Sequence, residues 1–325
     1  MTDTATTGPD PDHHARARAG VGYGFGAYAL WGLLPLYFVL LAPATPYEIV
    51  AMRILFSLLF CLLLLAVTGG LRDYLRLFRD RQAVLALGAA GVLIAGNWLL
   101  YTVAATTGHT LEASLGYFIN PLVAILLGVL VLHEKLRRMQ WAAIAVGAAS
   151  VLVMSVFYGA VPWLSLGLAF TFGFYGLVKS RLGSRYSALV TLSGETTMIA
   201  PLALAAVAVL GSQHRLTLVT EGAGHFLLLL AAGVITAVPL LLFGAAASRL
   251  PLSTVGMIQY VAPIGQFILA VALFHEQMPP ERWAGFGLVW VAVVLLVLDA
   301  VRAPRAPRLA RRSGSGSGRP SAPRD

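Results

Sequence analysis

Ten apolar runs, each long enough to cross a lipid bilayer, decide what this 325-residue chain can fold into. They cover 21–41, 47–67, 83–103, 111–132, 139–158, 163–178, 188–210, 226–247, 252–274 and 283–298. Crossing about 30 Å of hydrocarbon takes about 20 helical residues, whereas a spanning strand needs about ten and alternates in polarity. These runs are too long for strands and do not alternate, and backbone in lipid must satisfy its own hydrogen bonds. The reading is an all-α integral membrane protein with ten transmembrane helices.

Charge patterning sets the expected orientation. Arg16 and Arg18 precede the first run; Arg72, Arg76, Arg79 and Arg81 follow the second; Lys135, Arg137 and Arg138 follow the fourth. Lys179, Arg181 and Arg185 lie around the end of the sixth, Arg249 follows the eighth, and seven arginines follow the last. The other side has only Arg215 and Arg282. Lys and Arg concentrate in cytoplasmic loops, so both termini are expected in the cytoplasm. Because the +9 net charge sits in tails and short loops, the expected partner is the bilayer and not nucleic acid. Only 11% of residues are charged, against about a quarter in a soluble domain. Cys61 is the single cysteine, inside an apolar run, so neither a disulfide nor a metal site is expected. No cofactor is expected either.

"LHEKLRRMQW" from Leu132 and "FHEQMPPERW" from Phe274 expose a duplication. His133 and His275, Glu134 and Glu276, and Trp141 and Trp283 are each 142 positions apart, and the same offset carries runs one to five onto six to ten. Five spans is an odd number, so the second copy is inverted in the membrane. That explains why the first loop is basic and its copy is not. Inverted repeats are characteristic of secondary transporters. The layout expected is a disordered cytoplasmic tail at 1–20, one repeat at 21–158, the other at 159–300, and a basic disordered cytoplasmic tail at 301–325.

Ionisable residues inside the membrane are candidates for function. Arg53 and Glu195 are repeat mates of opposite charge. Their depths place Arg53 in the outer half and Glu195 in the inner half, too far apart for comfortable direct pairing. A polar and aromatic set accompanies them: Asn97, Trp98, Tyr101, Tyr117 and Asn120, with Gln259 and Tyr260 in the second repeat. Pro35, Pro121, Pro239 and Pro263 are expected to interrupt their helices, and such interruptions point to a midplane binding site. Glu48 and Glu112 read as local features of helix starts, and Asp299 as a solvated group. Gly22 and Gly26 read as a close-packing face.

The stretches "PYEIVAMRILFS", "GHTLEASLGYFINPLVAILLGVLVLHEKLRRMQWAAIAVGAASVLVM" and "RLPLSTVGMIQYVAPIGQFILAV" resemble the RarD group of EamA-type transporters, in the drug/metabolite transporter superfamily. That resemblance spans most of 21–299. It implies two inverted five-helix EamA repeats, a central cavity, alternating access, and movement of small metabolites or drugs across a bacterial cytoplasmic membrane, often outward. The RarD-like pattern carries an Arg and a Glu where Arg53 and Glu195 stand. The first span has no carboxylate, so the proton-exchange mechanism of small multidrug pumps does not carry over. Alternative readings are an intramembrane enzyme, which would need clustered carboxylates or histidines at one face, and a non-transporting receptor or scaffold. A small-molecule substrate without catalysis is the expectation; a homo-oligomer is left open.

Overall fold

The structure, a computed structural model, describes residues 11–133, 136–157, 161–182, 185–247, 249–250 and 252–302. Glu134, Lys135, residues 1–10 of the expected N-terminal tail and residues 303–325 of the expected C-terminal tail lie outside the described residues. In chain order the helices are α1 (Pro11–Leu40), α2 (Pro46–Thr68), α3 (Leu71–Leu77), α4 (Arg81–Thr106), α5 (Thr110–Leu132) and α6 (Arg138–Phe157). They continue with α7 (Trp163–Leu182), α8 (Ala188–Ser212), α9 (Gly222–Ala247), α10 (Leu252–Ile258), α11 (Val261–Ile268) and α12 (Pro280–Arg302). A π-helical turn, Leu269–Leu273, continues α11. Among the described residues nine segments are long and apolar enough to span a membrane, and α7 supplies a shorter apolar stretch, Trp163–Lys179. This is a ten-span, all-helical membrane protein whose ninth span is α10, α11 and the π turn together.

The helical contacts map onto themselves when the two repeats are exchanged. Helix α1 packs against α9, and its mate α7 packs against α4; α5 packs against α7, and their mates place α10 and α11 against α1. Helices α2 and α8 pack on each other, as do α6 and α12. The match extends to single residues. Gly116 of α5 faces Ser165 and Leu168 of α7, and its mate Ile258 of α10 faces Gly24 of α1, whose own mate Leu166 lies between those two residues. Likewise Ser150 bonds to the Gly285 carbonyl, while Ala143 and Ala292, the mates of Gly285 and Ser150, meet in one apolar cluster.

Gly91 and Gly233, also repeat mates, allow the closest backbone approaches near the charged positions. A Cβ on Gly91 would stand 3.0 Å from the Glu195 carbonyl oxygen, and a Cβ on Gly233 would collide with the Phe56 carbonyl. Helix α4 thereby lies directly on α8, and α9 on α2. The expected Gly22–Gly26 face is not used in this way: Gly22 meets nothing, and Gly26 meets only a Leu242 methyl at van der Waals distance. Gly20, Gly24 and Gly32 make the close contacts with the ninth span and its leading loop instead. Two positions along a helix is about 200° around it, which puts Gly22 and Gly26 on another face.

The duplicated His–Glu landmark has a structural role. His133 and His275 both take the left-handed conformation, with φ of 56° and 52°. His133 ends α5 in this way, and His275 turns the chain after the ninth span. Beyond that turn, the Glu276 carboxylate accepts from the backbone N–H groups of Thr110 (2.6 Å) and Leu111 (2.9 Å), capping α5 of the other repeat. Helix starts leave N–H groups without intrahelical partners, and an anion there is favoured. The Glu48 carboxylate does similar work away from its own helix. It accepts from the N–H groups of Thr217 and Leu218, both at 2.8 Å, and Thr45 is the residue that caps α2.

Several expectations are corrected. Helix α1 begins at Pro11, so residues 11–20 are helical rather than disordered. Proline suits a first helical position, and the Ala and Arg that follow are strong helix formers. Glu112 does stand in the first turn of α5, as expected, and also lies 3.8 Å from Arg282. Asp299 is buried, not solvated, and its Oδ2 is 2.6 Å from Arg137 Nη2. Pro35, Pro121 and Pro239 lie within continuous helices, as does Pro201. Only before Pro263 does the span break, through i+3 bonds from Tyr260 to Met257 and from Ala262 to Gln259. A proline can thus be absorbed by one missing bond or by a local tightening, and this chain does both.

Candidate functional site

Arg53 lies seven residues into α2, about 10 Å along the helix. Its side chain points into the bundle and is 3% exposed. Nε donates to Thr236 Oγ1 at 3.1 Å, near the middle of α9. The guanidinium lies over the rings of Phe38 (5.1 Å) and Trp98 (4.8 Å), so aromatic faces hold the cation. Tyr101 packs on Phe38 at 5.8 Å and on Tyr117 at 5.6 Å, extending this surround. Nη1 of Arg53 and the hydroxyl of Tyr101 are both buried without a hydrogen-bond partner among the described residues.

Asn97 is satisfied within the bundle. Its Nδ2 donates to the Leu168 carbonyl and to Thr171 Oγ1, each at 3.0 Å, and its Oδ1 accepts from the Tyr117 hydroxyl at 3.2 Å. It ties α4 to α7 and orients the Tyr117 ring. Asn120 is buried with its Oδ1 unbonded. Tyr260 belongs elsewhere: its ring stacks on Phe118 at 6.2 Å, in an apolar cluster with Phe286. Gln259, half-buried, stands at the break between α10 and α11. The candidate residues therefore divide. Arg53, Trp98, Tyr101, Tyr117 and Asn97 form one connected group, while Tyr260 packs in a second.

Glu195 lies at the equivalent place in α8 and is 1% exposed. It does not meet Arg53. Oε1 is 2.5 Å from Lys179 Nζ, and Oε2 accepts from the Tyr175 hydroxyl at 3.2 Å. Lys179 also lies 5.6 Å from the Tyr175 ring centre. The neighbouring threonines offer Glu195 nothing, since Thr191 and Thr196 turn their hydroxyls to backbone carbonyls. Lys179 and Tyr175 were missed in the sequence because the lysine reads as a loop charge. The repeat offset held the clue: Lys179 is the mate of Tyr37, which is within electrostatic reach of Arg53.

The charges sit toward opposite ends of the bundle. Helix α7 runs parallel to α5, with Ser165 at Glu112 and Gly173 at Val123 and Leu127. Lys179, at the far end of α7, is therefore at the end opposite the start of α5, whereas Phe38 and Tyr101 are near it. Between the two charged groups, one apolar cluster of Ile54, Ile94, Trp98 and Ile199 has Phe172 and Tyr175 packed against it.

Two inverted five-helix repeats enclosing intramembrane charges define a class, and the comparisons agree with it. The model of the EamA-like transporter family matches residues 18–156 and again 160–298, so the chain belongs to that family and is a membrane transporter. Among its relatives, Protein RarD of Streptomyces exfoliatus is 50% identical over 87% of this chain and 89% of that protein. Protein RarD of Escherichia coli is 39% identical over 86% and 94%. "Uncharacterized transporter YojE" of Bacillus subtilis is 40% identical over 87% and 94%. These matches make the chain a RarD-type member. A crystal structure 20% identical to it superposes with a TM-score of 0.60, covering 87% of this chain and 99% of that one, which supports the fold alone.

Proposed function

We propose that this chain is a secondary transporter that moves small metabolites or drug-like compounds outward across the cytoplasmic membrane by alternating access. The carrying observation is the exchange symmetry of the helix contacts around Arg53 and Glu195. Two equivalent halves packed in opposite orientations supply two similar closures, one at each membrane face, and rocking between them exposes a central site alternately. The Lys and Arg distribution supports cytoplasmic termini, with Arg53 in the outer half and Glu195 in the inner half. The site is assigned to Arg53, Trp98, Tyr101 and Tyr117, and Asn97 positions Tyr117. Catalysis has no place in this reading, and Glu276 is already engaged as a helix cap.

The test is reconstitution. Proteoliposomes containing the full chain are loaded with a deproteinised bacterial extract, and released solutes are identified by mass spectrometry against protein-free vesicles. The expected outcome is selective release of a few small solutes, lost in Arg53→Gln. Release no different from empty vesicles overturns the reading.

A further inference from the structure

Five ion pairs occur among the described residues, and Arg53 is in none of them. Its neighbours set the rings of Phe38 and Trp98 against the guanidinium and engage Nε with a neutral hydroxyl. Nη1 is left with no acceptor, and so is the hydroxyl of Tyr101, which is 2% exposed and within electrostatic reach of the guanidinium. Two buried donors lacking acceptors, in one aromatic surround, are costly unless something arrives to accept from them.

The charge inventory specifies what that is. Lys179 and Glu195 neutralise each other. The buried carboxylate of α2, Glu48, is engaged by Thr217 and Leu218, so among the described residues Arg53 is left without an ion-pair partner, and a buried unpaired ion costs several kcal/mol. A neutral solute leaves that cost in place, a cation adds repulsion, and a dianion overshoots. Building on the transport reading above, we propose that the substrate is an organic monoanion with an apolar, planar body. Its carboxylate accepts from Arg53 Nη1 and Tyr101 Oη, and its body lies against Phe38, Trp98 and Tyr117. Arginine suits this task because it stays charged when buried, stacks on aromatic faces and still donates to a carboxylate.

The test compares probes that differ in one charge. Benzoate, phenylacetate and indole-3-acetate are each set against their primary amide, with phenyl phosphate as the dianion, by thermal unfolding of the detergent-purified full chain at neutral pH. At least one carboxylate is expected to raise the unfolding midpoint at about tenfold lower concentration than its amide, the weight of one charge-assisted hydrogen bond. Arg53→Gln erases that preference, and Tyr101→Phe reduces it. Amides that match their acids, no protection by any of the three acids, or a preference that survives Arg53→Gln overturns the proposal. Because the wild-type comparison needs no variant, a failure of Arg53→Gln to fold does not blunt it. Flux in proteoliposomes separates the two levels. Acid-selective binding without release of any solute overturns transport and leaves the anion site standing; release of neutral solutes without acid selectivity does the reverse.

Discussion

Arg53 and Glu195 hold equivalent positions in the two repeats, yet their surroundings treat charge in opposite ways. Glu195 is answered from within the protein by Lys179 and Tyr175 on the neighbouring helix. Arg53 is held by aromatic faces and one threonine hydroxyl, with no counter-ion among the described residues. The repeat mates of the compensating residues explain the difference: Tyr37 stands where Lys179 stands in the other half, and Leu33 stands where Tyr175 does. One half of the duplicated scaffold holds a closed ion pair and the other a buried cation without an ion-pair partner among the described residues. A duplication conserves backbone geometry, and single side chains then decide which charge is answered from within the protein.

Substitutions at the charged positions break this comparison most directly. Arg53→Gln is expected to lower flux at least about tenfold, since it removes a charge-assisted contact. Arg53→Met, however, is expected to leave the unfolding midpoint in detergent unchanged or higher, because it removes an unpaired buried charge. Lys179→Met has the opposite sign. It strands Glu195 and costs about 3 kcal/mol, at the low end for a buried pair because Lys179 keeps 29% exposure. The double variant Lys179→Met/Glu195→Gln recovers most of that loss; an equal loss in single and double variants would show that the pair is not what holds this half together.

The glycine mates sharpen the comparison at the backbone. Gly233→Ala is expected to cost about 2 kcal/mol and Gly91→Ala about 1, measured by thermal unfolding, since crowding a packed contact destabilises by this order. The rank follows from what each Cβ meets, the Phe56 carbonyl beneath Gly233 against a looser contact at Gly91. The smallest effect expected is at a cap. Glu276→Gln should cost about 1 kcal/mol through the start of α5, with flux per folded molecule unchanged.

Much of this architecture is written in the amino-acid order. Apolar run length sets the ten spans because lipid has a fixed thickness and offers no hydrogen bonds. The 142-residue offset, with an odd number of spans, gives the exchange symmetry. Arg53 and Glu195 stand out because charge in lipid is rare and costly. Trp98, Tyr101 and Tyr117 were legible as candidates near a proline-bearing helix. What only the tertiary structure decided is partnership. Nothing in the order of residues says that Glu195 meets Lys179, that Asp299 meets Arg137, that Tyr260 stacks on Phe118 away from Arg53, or that Glu276 caps a helix of the other repeat. Span length and hydropathy are properties of each segment alone. Which charge is compensated depends on how helices rotate and cross, and those angles are set by packing between different segments of the chain.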